Sequence, residues 1–454
     1  MQIAFLLNGQ TIRLTLDDPH VTTLNWLRDN GHVGSKEGCA EGDCGACTAV
    51  MAEVVDGQIQ LSPVNTCIQL LSRLNGCALI TVEGLSQDSI HPIQQAVVDE
   101  HGSQCGYCTP GFVMALYYGL NAQPPQNREQ ACDLLAGNLC RCTGYQGLLR
   151  VAMDLPKIAQ DRLEPLAGAL AALHAPAPEE HPTTLNQALA LRAQWPDAQV
   201  VAGNTDVGLW VTKRHQRFQR VLMLHRIPEL QQIHLDNGQL VIGAMVTYTQ
   251  ALATLTQHWP SVDRYLKRIG SVQVRSAGTL GGNLANGSPI GDMPPMLIAL
   301  QAQIELQSAR GTRHLPLEQF FIQYGVQDLA DDELLVRIHV PMESRSLAVA
   351  KLSKRADQDI SAVSLGLSAR VENGCLLDPV IAFGGMAGTP KRARHLEQAL
   401  NNCPLDRVDW QVLAQDFEPL SDARASAEYR MRAAQGMVKR ACQQLLGQPI
   451  EVLV

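Results

Sequence analysis

The sequence lacks a run of five basic residues, a long apolar stretch and a secretory leader. Its formal net charge is −8, so no nucleic-acid partner is expected. No segment approaches the roughly 18 uninterrupted apolar residues of a membrane span, and the N-terminal stretch is too short and too polar for a secretory signal. The sequence therefore predicts a cytoplasmic protein with no membrane partner.

Cysteine, in contrast, is abundant and unevenly placed. Of 13 cysteines in the 454 residues, ten precede residue 143. The cytosolic thiol pool disfavours disulfides, so this density indicates ligands for a metal or a cluster. Five cysteines have no partner at a ligand spacing and are interpreted as ordinary core or surface thiols: Cys77, Cys132, Cys375, Cys403 and Cys442.

The first cysteine group lies in "GCAEGDCGACTAV", where Cys39, Cys44 and Cys47 follow a C-x4-C-x2-C spacing, with Cys67 further on. This triplet is the plant-type [2Fe–2S] ferredoxin spacing. The small residues between the thiols leave room for backbone N–H groups to point at sulfur. A β-hairpin turning at Asn8-Gly9 is predicted before the loop, and a strand directly after it. Zinc stays open as an alternative, although zinc sites favour paired C-x2-C units.

The second group combines a C-x2-C pair, Cys105 and Cys108, with a later C-x-C pair, Cys140 and Cys142. Taken alone, this quartet could also bind zinc. Thr109 and Pro110 are predicted to be the N-cap and first-turn proline of a helix "GFVMALYYGL". A second helix, "QGLLRVAMDL", is predicted just after Cys142, so both pairs would lie at helix N-termini that favour negative charge.

The segments "GCAEGDCGACTAV", "QCGYCTPGFVMAL" and "GNLCRCTGYQ" resemble, in order, the iron–sulfur module of the xanthine dehydrogenase (molybdenum hydroxylase) family. The resemblance covers about residues 1–160. It implies one [2Fe–2S] cluster held by Cys39, Cys44, Cys47 and Cys67, and a second held by Cys105, Cys108, Cys140 and Cys142. It also matches Gln104 to a glutamine that contacts molybdopterin on the hydroxylase domain.

Two glycine-containing segments follow in the middle of the chain: "VVAGNTD" and "SAGTLGGNLANGSPIGDMPP". Glycines let backbone N–H groups approach a pyrophosphate, but neither segment fits the G-x-G-x-x-G fingerprint. Each is a weak signal by itself, and a plain tight turn is the default interpretation.

With "KLSKRADQDIS", these segments resemble the FAD-binding domain of the same family, which is of the vanillyl-alcohol-oxidase type. By this resemblance residues 200–207 hold the pyrophosphate and ribityl chain, and residues 279–283 form a second phosphate loop. Ala356 departs from the family pattern, where a bulkier residue is usual. The FAD contacts implied are Val200, Val201, Ala202, Gly203, Asn204, Thr205, Asp206, Val207, Ile269, Thr279, Leu280, Gly281, Gly282, Asn283, Asn286, Ser288, Asp292, Leu335 and Lys351.

The fold class expected is multidomain α+β. It comprises a plant-ferredoxin-like β-grasp domain, a four-helix [2Fe–2S] domain, a vanillyl-alcohol-oxidase-type FAD-binding domain and a C-terminal α+β domain. The boundaries expected, in that order and with an alanine- and proline-rich linker third, are 1–85, 86–161, 162–181, 182–342 and 343–454. A short helix is expected in the linker near residues 166–173.

The resemblance implies the electron-transfer subunit of an NAD-dependent xanthine dehydrogenase. Electrons would pass from a large subunit carrying the molybdenum cofactor, through the Cys105 group and then the Cys39 group, to FAD and NAD. No molybdopterin domain follows in the sequence, so the partner is expected on another chain, in a dimer of heterodimers. Three alternatives stay open: a molybdenum hydroxylase for aldehydes, N-heterocycles or aromatic thioesters; a stand-alone NADH-dependent reductase; and a zinc-structured scaffold.

Overall fold

The computed structural model describes residues 1–86, 89–161 and 163–449. The strands are β1 (Gln2–Leu7), β2 (Gln10–Thr15), β3 (Thr48–Val55), β4 (Gln58–Asn65), β5 (Ala78–Ile80), β6 (Gln199–Val201), β7 (Val221–Met223), β8 (Ile233–Asp236), β9 (Gln239–Gly243), β10 (Gln303–Ser308), β11 (Gly311–Pro316), β12 (Phe321–Gln323), β13 (Val326–Gln327), β14 (Leu334–Pro341), β15 (Ser346–Leu352), β16 (Val363–Glu372), β17 (Cys375–Gly384) and β18 (Lys391–Arg392).

The α-helices are α1 (Thr23–Asp29), α2 (Pro92–Asp99), α3 (Thr109–Asn121), α4 (Arg128–Leu135), α5 (Gln146–Asp154), α6 (Glu164–Ala171), α7 (Leu185–Gln194), α8 (Val207–Thr212), α9 (Tyr248–His258), α10 (Val262–Lys267), α11 (Val272–Ala277), α12 (Leu280–Asn286), α13 (Met293–Ala299), α14 (Leu317–Phe320), α15 (Arg394–Leu400) and α16 (Ala427–Leu445). Short 3-10 helices cover Leu71–Leu74, Val82–Leu85, Leu155–Lys157, Pro228–Leu230, Leu405–Arg407 and Trp410–Gln415. Among the described helices none is both long and apolar enough to cross a bilayer.

The chain divides into two compact units. The first comprises residues 1–182, 198–226 and 270–278, and the second comprises 183–197, 227–269 and the described residues from 279 onward. The predicted fold class is confirmed, because the β-grasp, four-helix, flavin-type and C-terminal α+β parts are all present. The five domain boundaries stay predictions, and the division into units adds that segments 198–226 and 270–278 fold with the N-terminal region.

The first unit begins with a five-stranded sheet in the order β2-β1-β5-β3-β4. The predicted hairpin is confirmed: β1 pairs antiparallel with β2, and the turn residues Asn8 and Gly9 have φ values of 51° and 84°, as a type I′ turn requires. β1 is parallel to β5, and Thr22 caps α1 by accepting from the Asn25 N–H. α6 lies in the predicted linker and packs Leu170 against Ala4 and Leu6 of β1, so this segment contributes to the core.

Four helices, α2 to α5, follow the sheet. α3 is buried along almost its whole length, from Gly111 to Leu120, and forms the centre of this bundle. Its Phe112 and Met114 join Val50 of β3 in one apolar cluster, which fuses the bundle to the sheet. The helix pair of the cysteine segments is thereby held on a rigid core.

The second unit contains two larger antiparallel sheets, ordered β11-β10-β14-β9-β8 and β15-β16-β17-β18, and a two-stranded antiparallel sheet, β12-β13. The core of the first sheet includes Ile304 and Ile338, together with Leu297 of α13. The second sheet packs against α15 and α16, and Ser426 caps α16 by accepting from the Tyr429 N–H.

Two buried histidines make the first unit sensitive to acid. The rings of His181 and His225 lie 5.1 Å apart, and they are 2% and 8% exposed. Burial lowers the pKa of His181 to about 3 and that of His225 well below its usual range, and the charge of Arg226 adds to both shifts. Both rings are therefore neutral in the folded state near neutral pH.

We expect the unfolding free energy to fall as the pH drops below about 6.5, because the unfolded chain then takes up protons that the folded chain excludes. The slope should reach about 1.4 kcal/mol per pH unit for each histidine. His181→Leu should reduce the slope because it removes one of the two titrating rings. The replacement breaks no ring hydrogen bond, since neither ring nitrogen of His181 has a partner among the described residues. Urea unfolding between pH 5 and 7.5 measures both slopes, and equal slopes in the two proteins would refute this origin.

Candidate electron-transfer site

The four cysteines of the first group come together in the first unit, as predicted. Their thiols are close enough to shift one another's pKa, Cys39 with Cys44 and Cys67, and Cys47 with Cys67. Cys47 and Cys67 are 1% and 3% exposed, while the other two are half-buried. The loop therefore presents four thiols around a largely enclosed centre.

Backbone N–H groups point at these sulfurs, as the small residues of the loop predict. The N–H groups of Glu41 and Cys44 lie 3.4 Å from Cys39 Sγ. At Gly38 a Cβ atom would lie 2.7 Å from Cys44 Sγ. Gly45 has φ +68°, and a Cβ there would lie 2.1 Å from the Gly137 carbonyl oxygen. The loop thus provides inward donors that stabilise thiolate charge.

The thiols of this first group differ in the direction of their pKa shifts. The hydrogen bond from Cys44 lowers the pKa of Cys39, and that from Cys67 lowers the pKa of Cys47. The same bonds raise the pKa values of Cys44 and Cys67. Four thiols with inward N–H donors are the donor set that an iron–sulfur cluster requires, and these residues fit such a group.

The second group holds its thiols in two pairs. Cys105 lies close enough to Cys142, and Cys108 to Cys140, for the members of each pair to shift one another's pKa. Burial, followed by the bond to Cys140, raises the pKa of Cys108 to about 12. Burial would raise the pKa of Cys140 as well, but hydrogen bonds from Thr143 bring it below its usual value. Cys105 and Cys142 are exposed, so this group lies at the protein surface, and Gln104 beside it is exposed too.

Pairwise contact favours a two-iron cluster over a single zinc ion at the Cys105 group, where Cys105 lies with Cys142 and Cys108 with Cys140. A tetrahedral zinc with Zn–S bonds of about 2.3 Å needs all four sulfurs within about 4 Å of one another. Within the described parts of the chain, the group of three ligand atoms found within 4.8 Å of one another contains no cysteine. Sulfurs in two close pairs instead match two irons with two thiolates each.

Two details of the helix starts differ from the sequence-based expectation. Cys108, not Thr109, occupies the N-cap of α3, and it makes no side-chain cap bond. The Thr109 hydroxyl lies 2.6 Å from that of Ser103 instead. The Cys140–Cys142 pair lies in the turn before α5, where the Cys140 N–H donates to the Tyr145 hydroxyl at 2.8 Å. At α3, the Thr109 hydroxyl contacts Ser103 and therefore does not cap the helix. Before α5, the tyrosine hydroxyl, not the helix N-terminus, is what contacts the Cys140 backbone.

A buried cluster of polar groups, which we name the Asn138 clamp, joins the two cysteine loops. It consists of Asn138, Gln273, Thr48 and the Gly45 carbonyl. Asn138 Nδ2 donates to the Gly45 carbonyl at 2.9 Å, and Gln273 Nε2 donates to Asn138 Oδ1 and Thr48 Oγ1, each at 3.0 Å. Next to it, the Leu139 N–H donates to the Cys44 carbonyl at 2.9 Å. A single backbone hydrogen bond therefore connects Leu139, the residue before Cys140, to Cys44.

Sequence reasoning missed the clamp. Asn138, Gln273 and Thr48 are at most 2% exposed, and more than 130 positions separate Asn138 from Gln273. The available signal was Asn138 inside the cysteine motif "GNLCRC", but its partner could not be inferred from spacing.

The first predicted flavin segment packs directly on the first cysteine loop. The Thr212 hydroxyl of α8 donates to the Ala40 carbonyl at 2.8 Å, and Lys213 donates to the Cys39 carbonyl. Leu209 packs against Cys47 and Cys67. The turn before α8 adds a bond from Asn204 Nδ2 to the Ile68 carbonyl.

Residues 200–207 form the strand, turn and helix start that were predicted. β6 ends at Val201, Asn204 has φ 65°, and α8 begins at Val207. A Cβ at Gly203 would lie 1.9 Å from the Ala277 carbonyl oxygen, so this glycine permits close approach of segment 270–278. The residues predicted to contact FAD in this unit are Val200, Val201, Ala202, Gly203, Asn204, Thr205, Asp206 and Val207.

The other predicted FAD contacts belong to the second unit: Ile269 packs against its core and the rest begin at Thr279. The residues predicted as a second phosphate loop, 279–283, form the start of α12, and the Thr279 hydroxyl caps this helix by accepting from the Gly282 N–H at 3.0 Å. Their role in phosphate binding stays a prediction. The glycines there serve close packing: a Cβ at Gly281 would lie 2.5 Å from Ala244 Cβ.

Within the second unit a buried ion pair organises two of the predicted contacts. Lys351 Nζ lies 2.7 Å from Asp292 Oδ2, and the two side chains are 2% and 7% exposed. Ser361 donates to Asp292 Oδ1 at 2.5 Å. Leu335 of β14 is buried in the sheet core. Asn283 Oδ1 is buried and has no partner among the described residues, which fits a donor supplied by a bound cofactor.

The carboxyl of Asp206 has a perturbed pKa, which is common at functional positions. Burial raises the pKa of its carboxyl, and the charge of Arg214 offsets this only in part. The charged form therefore costs stability above the folded-state pKa, and this cost disappears as the pH falls below the unfolded value.

Asp206→Asn should accordingly raise the unfolding free energy at pH 7, by an amount on the order of 1 kcal/mol. The gain should shrink as the pH is lowered towards 4.5. Thermal unfolding of the two proteins across this range measures the difference. Asp236→Asn, on the exposed edge strand β8, is the matched control. It should change the unfolding free energy by no more than about 0.5 kcal/mol at either pH. An unchanged gain at pH 4.5 would contradict the explanation.

Four domain families match the chain. The first two are a 2Fe-2S iron–sulfur cluster binding domain at residues 5–70 and a [2Fe-2S] binding domain at 81–153. An FAD binding domain in molybdopterin dehydrogenase follows at 179–343, and a CO dehydrogenase flavoprotein C-terminal domain at 348–445.

Curated relatives and solved structures agree with these matches. A xanthine dehydrogenase of Drosophila pseudoobscura pseudoobscura is 30% identical over 89% of this chain and 36% of its own length. An aldehyde oxidase 4 of Cavia porcellus is 28% identical over 86% of this chain and 35% of its own. The chain thus spans about a third of the length of these relatives.

A carbon monoxide dehydrogenase structure from Hydrogenophaga pseudoflava, which lacks the Mo-pyranopterin moiety of its molybdenum cofactor, aligns with a TM-score of 0.55 and 29% identity. The alignment covers 59% of this chain and 96% of that one. With two [2Fe–2S] domains, an FAD-binding domain and a flavoprotein C-terminal domain in this order, the chain belongs to the molybdenum hydroxylase family and is homologous to the N-terminal region of xanthine dehydrogenases.

Proposed function

We propose that this chain is the electron-transfer subunit of a xanthine dehydrogenase. A large subunit that binds the molybdenum cofactor would oxidise hypoxanthine and xanthine to urate, and NAD would accept the electrons. The observation that carries the proposal is that the two cysteine groups and the first predicted flavin segment are packed together in one compact unit.

The two cysteine groups would hold one [2Fe–2S] cluster each, and the FAD binding domain matched at residues 179–343 would hold FAD. When bound, the clusters exchange single electrons and the flavin exchanges one or two, which links one-electron to hydride chemistry. The chain's own residues set the positions of these groups. The Asn138 clamp fixes the two cysteine loops at one separation, and Thr212 with Lys213 fixes the first loop against α8.

The order of the two groups follows from their surroundings. The Cys105 group is partly exposed and neighbours the exposed Gln104, which suits a position facing a partner subunit. The Cys39 group is more enclosed and contacts Leu209 of α8, the helix that begins at the end of the segment predicted to bind FAD. We therefore propose that electrons enter at the Cys105 group and leave through the Cys39 group, with the assembly arranged as a dimer of heterodimers.

Substrate oxidation by the purified complex tests this proposal. The chain would be co-expressed with its large partner, and NAD reduction would be measured with hypoxanthine, xanthine, an aldehyde and an N-heterocycle. Turnover of the purines with NAD supports the proposal. Turnover of aldehydes alone would favour the second candidate, an aldehyde-oxidising complex, which the likeness to aldehyde oxidase 4 supports. NADH oxidation without any molybdenum partner in the native complex would instead indicate a stand-alone reductase.

A further inference from the structure

A three-residue group on the second unit's first sheet resembles a metal site, and one member, His339, lies on β14, the strand that also carries the predicted FAD contact Leu335. It comprises Glu305, His314 and His339, which we name the sheet triad. One ligand atom from each residue lies within 4.8 Å of the other two. From these residues we propose that the sheet triad binds a zinc ion, with water completing its coordination.

Strand pairing explains why the three side chains meet. β10 lies between β11 and β14, and Glu305 pairs directly with His314 on one side. On the other side Glu305 pairs with Arg337, two residues before His339. Side chains directly opposite or diagonal on one sheet face lie close enough to share a ligand. Three adjacent strands are a rigid scaffold, so the positions of the ligands are set by the sheet.

The charges suit a cation that takes one carboxylate and two imidazoles. Glu305 is 7% exposed, and its Oε1 accepts from Arg337 at 2.7 Å. Its second oxygen, Oε2, lies 2.9 Å from His339 Nε2, so a metal would replace the proton shared by these two atoms. These two contacts fix the orientation of the carboxylate.

His314 completes the set from the solvent side. Its ring lies 5.1 Å from that of His339, measured between centroids, and the residue is exposed. Zinc bonds to nitrogen and oxygen of about 2.0–2.2 Å hold tetrahedral ligand atoms roughly 3.4 Å apart. Binding would therefore widen the 2.9 Å contact between Glu305 and His339 slightly, and the exposed His314 ring, whose ligand atom lies within 4.8 Å of both, would adjust to that spacing. Two histidines and a glutamate are a ligand set that zinc uses with an open fourth position.

Zinc binding to the holo-protein, with its full iron content, tests the inference. The probe is ZnCl2, with bound zinc and iron counted after gel filtration and affinity measured by calorimetry. His314→Ala removes an exposed ligand without disturbing the core, and His234→Ala on β8 is the matched control, because His234 is exposed on the same sheet. We expect one zinc per chain beyond the iron. The affinity should fall more than about tenfold in His314→Ala, since even outer-shell groups are worth about 10–100-fold.

Crystals soaked in ZnCl2 locate the ion independently of any variant. An anomalous peak between Glu305, His314 and His339 would establish the site. Equal zinc affinity in His314→Ala and the parent protein, or zinc found only where iron has been lost, would overturn the inference. These outcomes do not depend on catalytic turnover, so they separate the sheet triad from the proposed function.

Discussion

Replacing Cys44 with serine should remove about two of the four irons expected per chain and leave the cluster at the Cys105 group intact. Within its group, the Cys44 thiol lies next to that of Cys39. A serine hydroxyl at this position is a poor ligand for iron beside three thiolates. Iron and sulfide counts, with electron paramagnetic resonance of the reduced protein, measure the loss. Electron delivery to FAD should stop, because the enclosed first group lies between the surface group and α8.

The control for this variant is Cys132→Ser. Cys132 is exposed and belongs to neither group, so its replacement should keep all the iron and both resonance signals. The complementary variant Cys142→Ser should give the opposite pattern, with the Cys105-group signal lost and the Cys39-group signal kept. If Cys44→Ser retained both signals and normal turnover, the ligand assignment would be wrong.

The second large effect is expected from Asn138→Ala. Alanine removes the amide that connects Gly45, Thr48 and Gln273, and it leaves Gln273 with a single partner in a site closed to water. A buried polar group that loses its partner costs about 1–3 kcal/mol, so the unfolding free energy should fall by about 2 kcal/mol. The two cysteine loops should also lose their fixed separation.

Loss of that separation has a signature that a merely structural role would not produce. The magnetic interaction between the two reduced clusters depends on their distance, so its splitting should change or broaden in Asn138→Ala while the iron content stays complete. Gln273→Ala should have a smaller effect in the same direction. Gln95→Ala removes an exposed amide of α2 and should alter the stability by no more than about 0.5 kcal/mol. An unchanged splitting in Asn138→Ala would show that the clamp does not position the loops.

Much of the fold and the cysteine site could be predicted because their signals are local. The Asn8-Gly9 turn, the strand after Cys47 and the helix after Cys108 each depend on a few adjacent residues, and the structure confirms them. The loop glycines could also be interpreted, since thiols so close together leave no room for side chains between them.

The features that sequence reasoning missed depend on contacts between distant segments. Segment 198–226 folds on the first cysteine loop through Thr212 and Leu209, which no local pattern encodes. The family resemblance gave residues 279–283 as a phosphate loop, and the structure has the start of a helix there, capped by Thr279 and packed through Gly281 against Ala244. The contact between Gly281 and Ala244 joins distant segments, so it could not be inferred from local spacing.

The most direct test of the central claim is a count of iron, acid-labile sulfide, flavin, zinc and molybdenum in the protein purified with whatever binds it. We expect about four irons, about four sulfides and one FAD per chain, with molybdenum present only when a second, larger polypeptide is bound. Zinc in place of iron at the cysteine groups, or full iron and flavin with no molybdenum-containing partner, would contradict it.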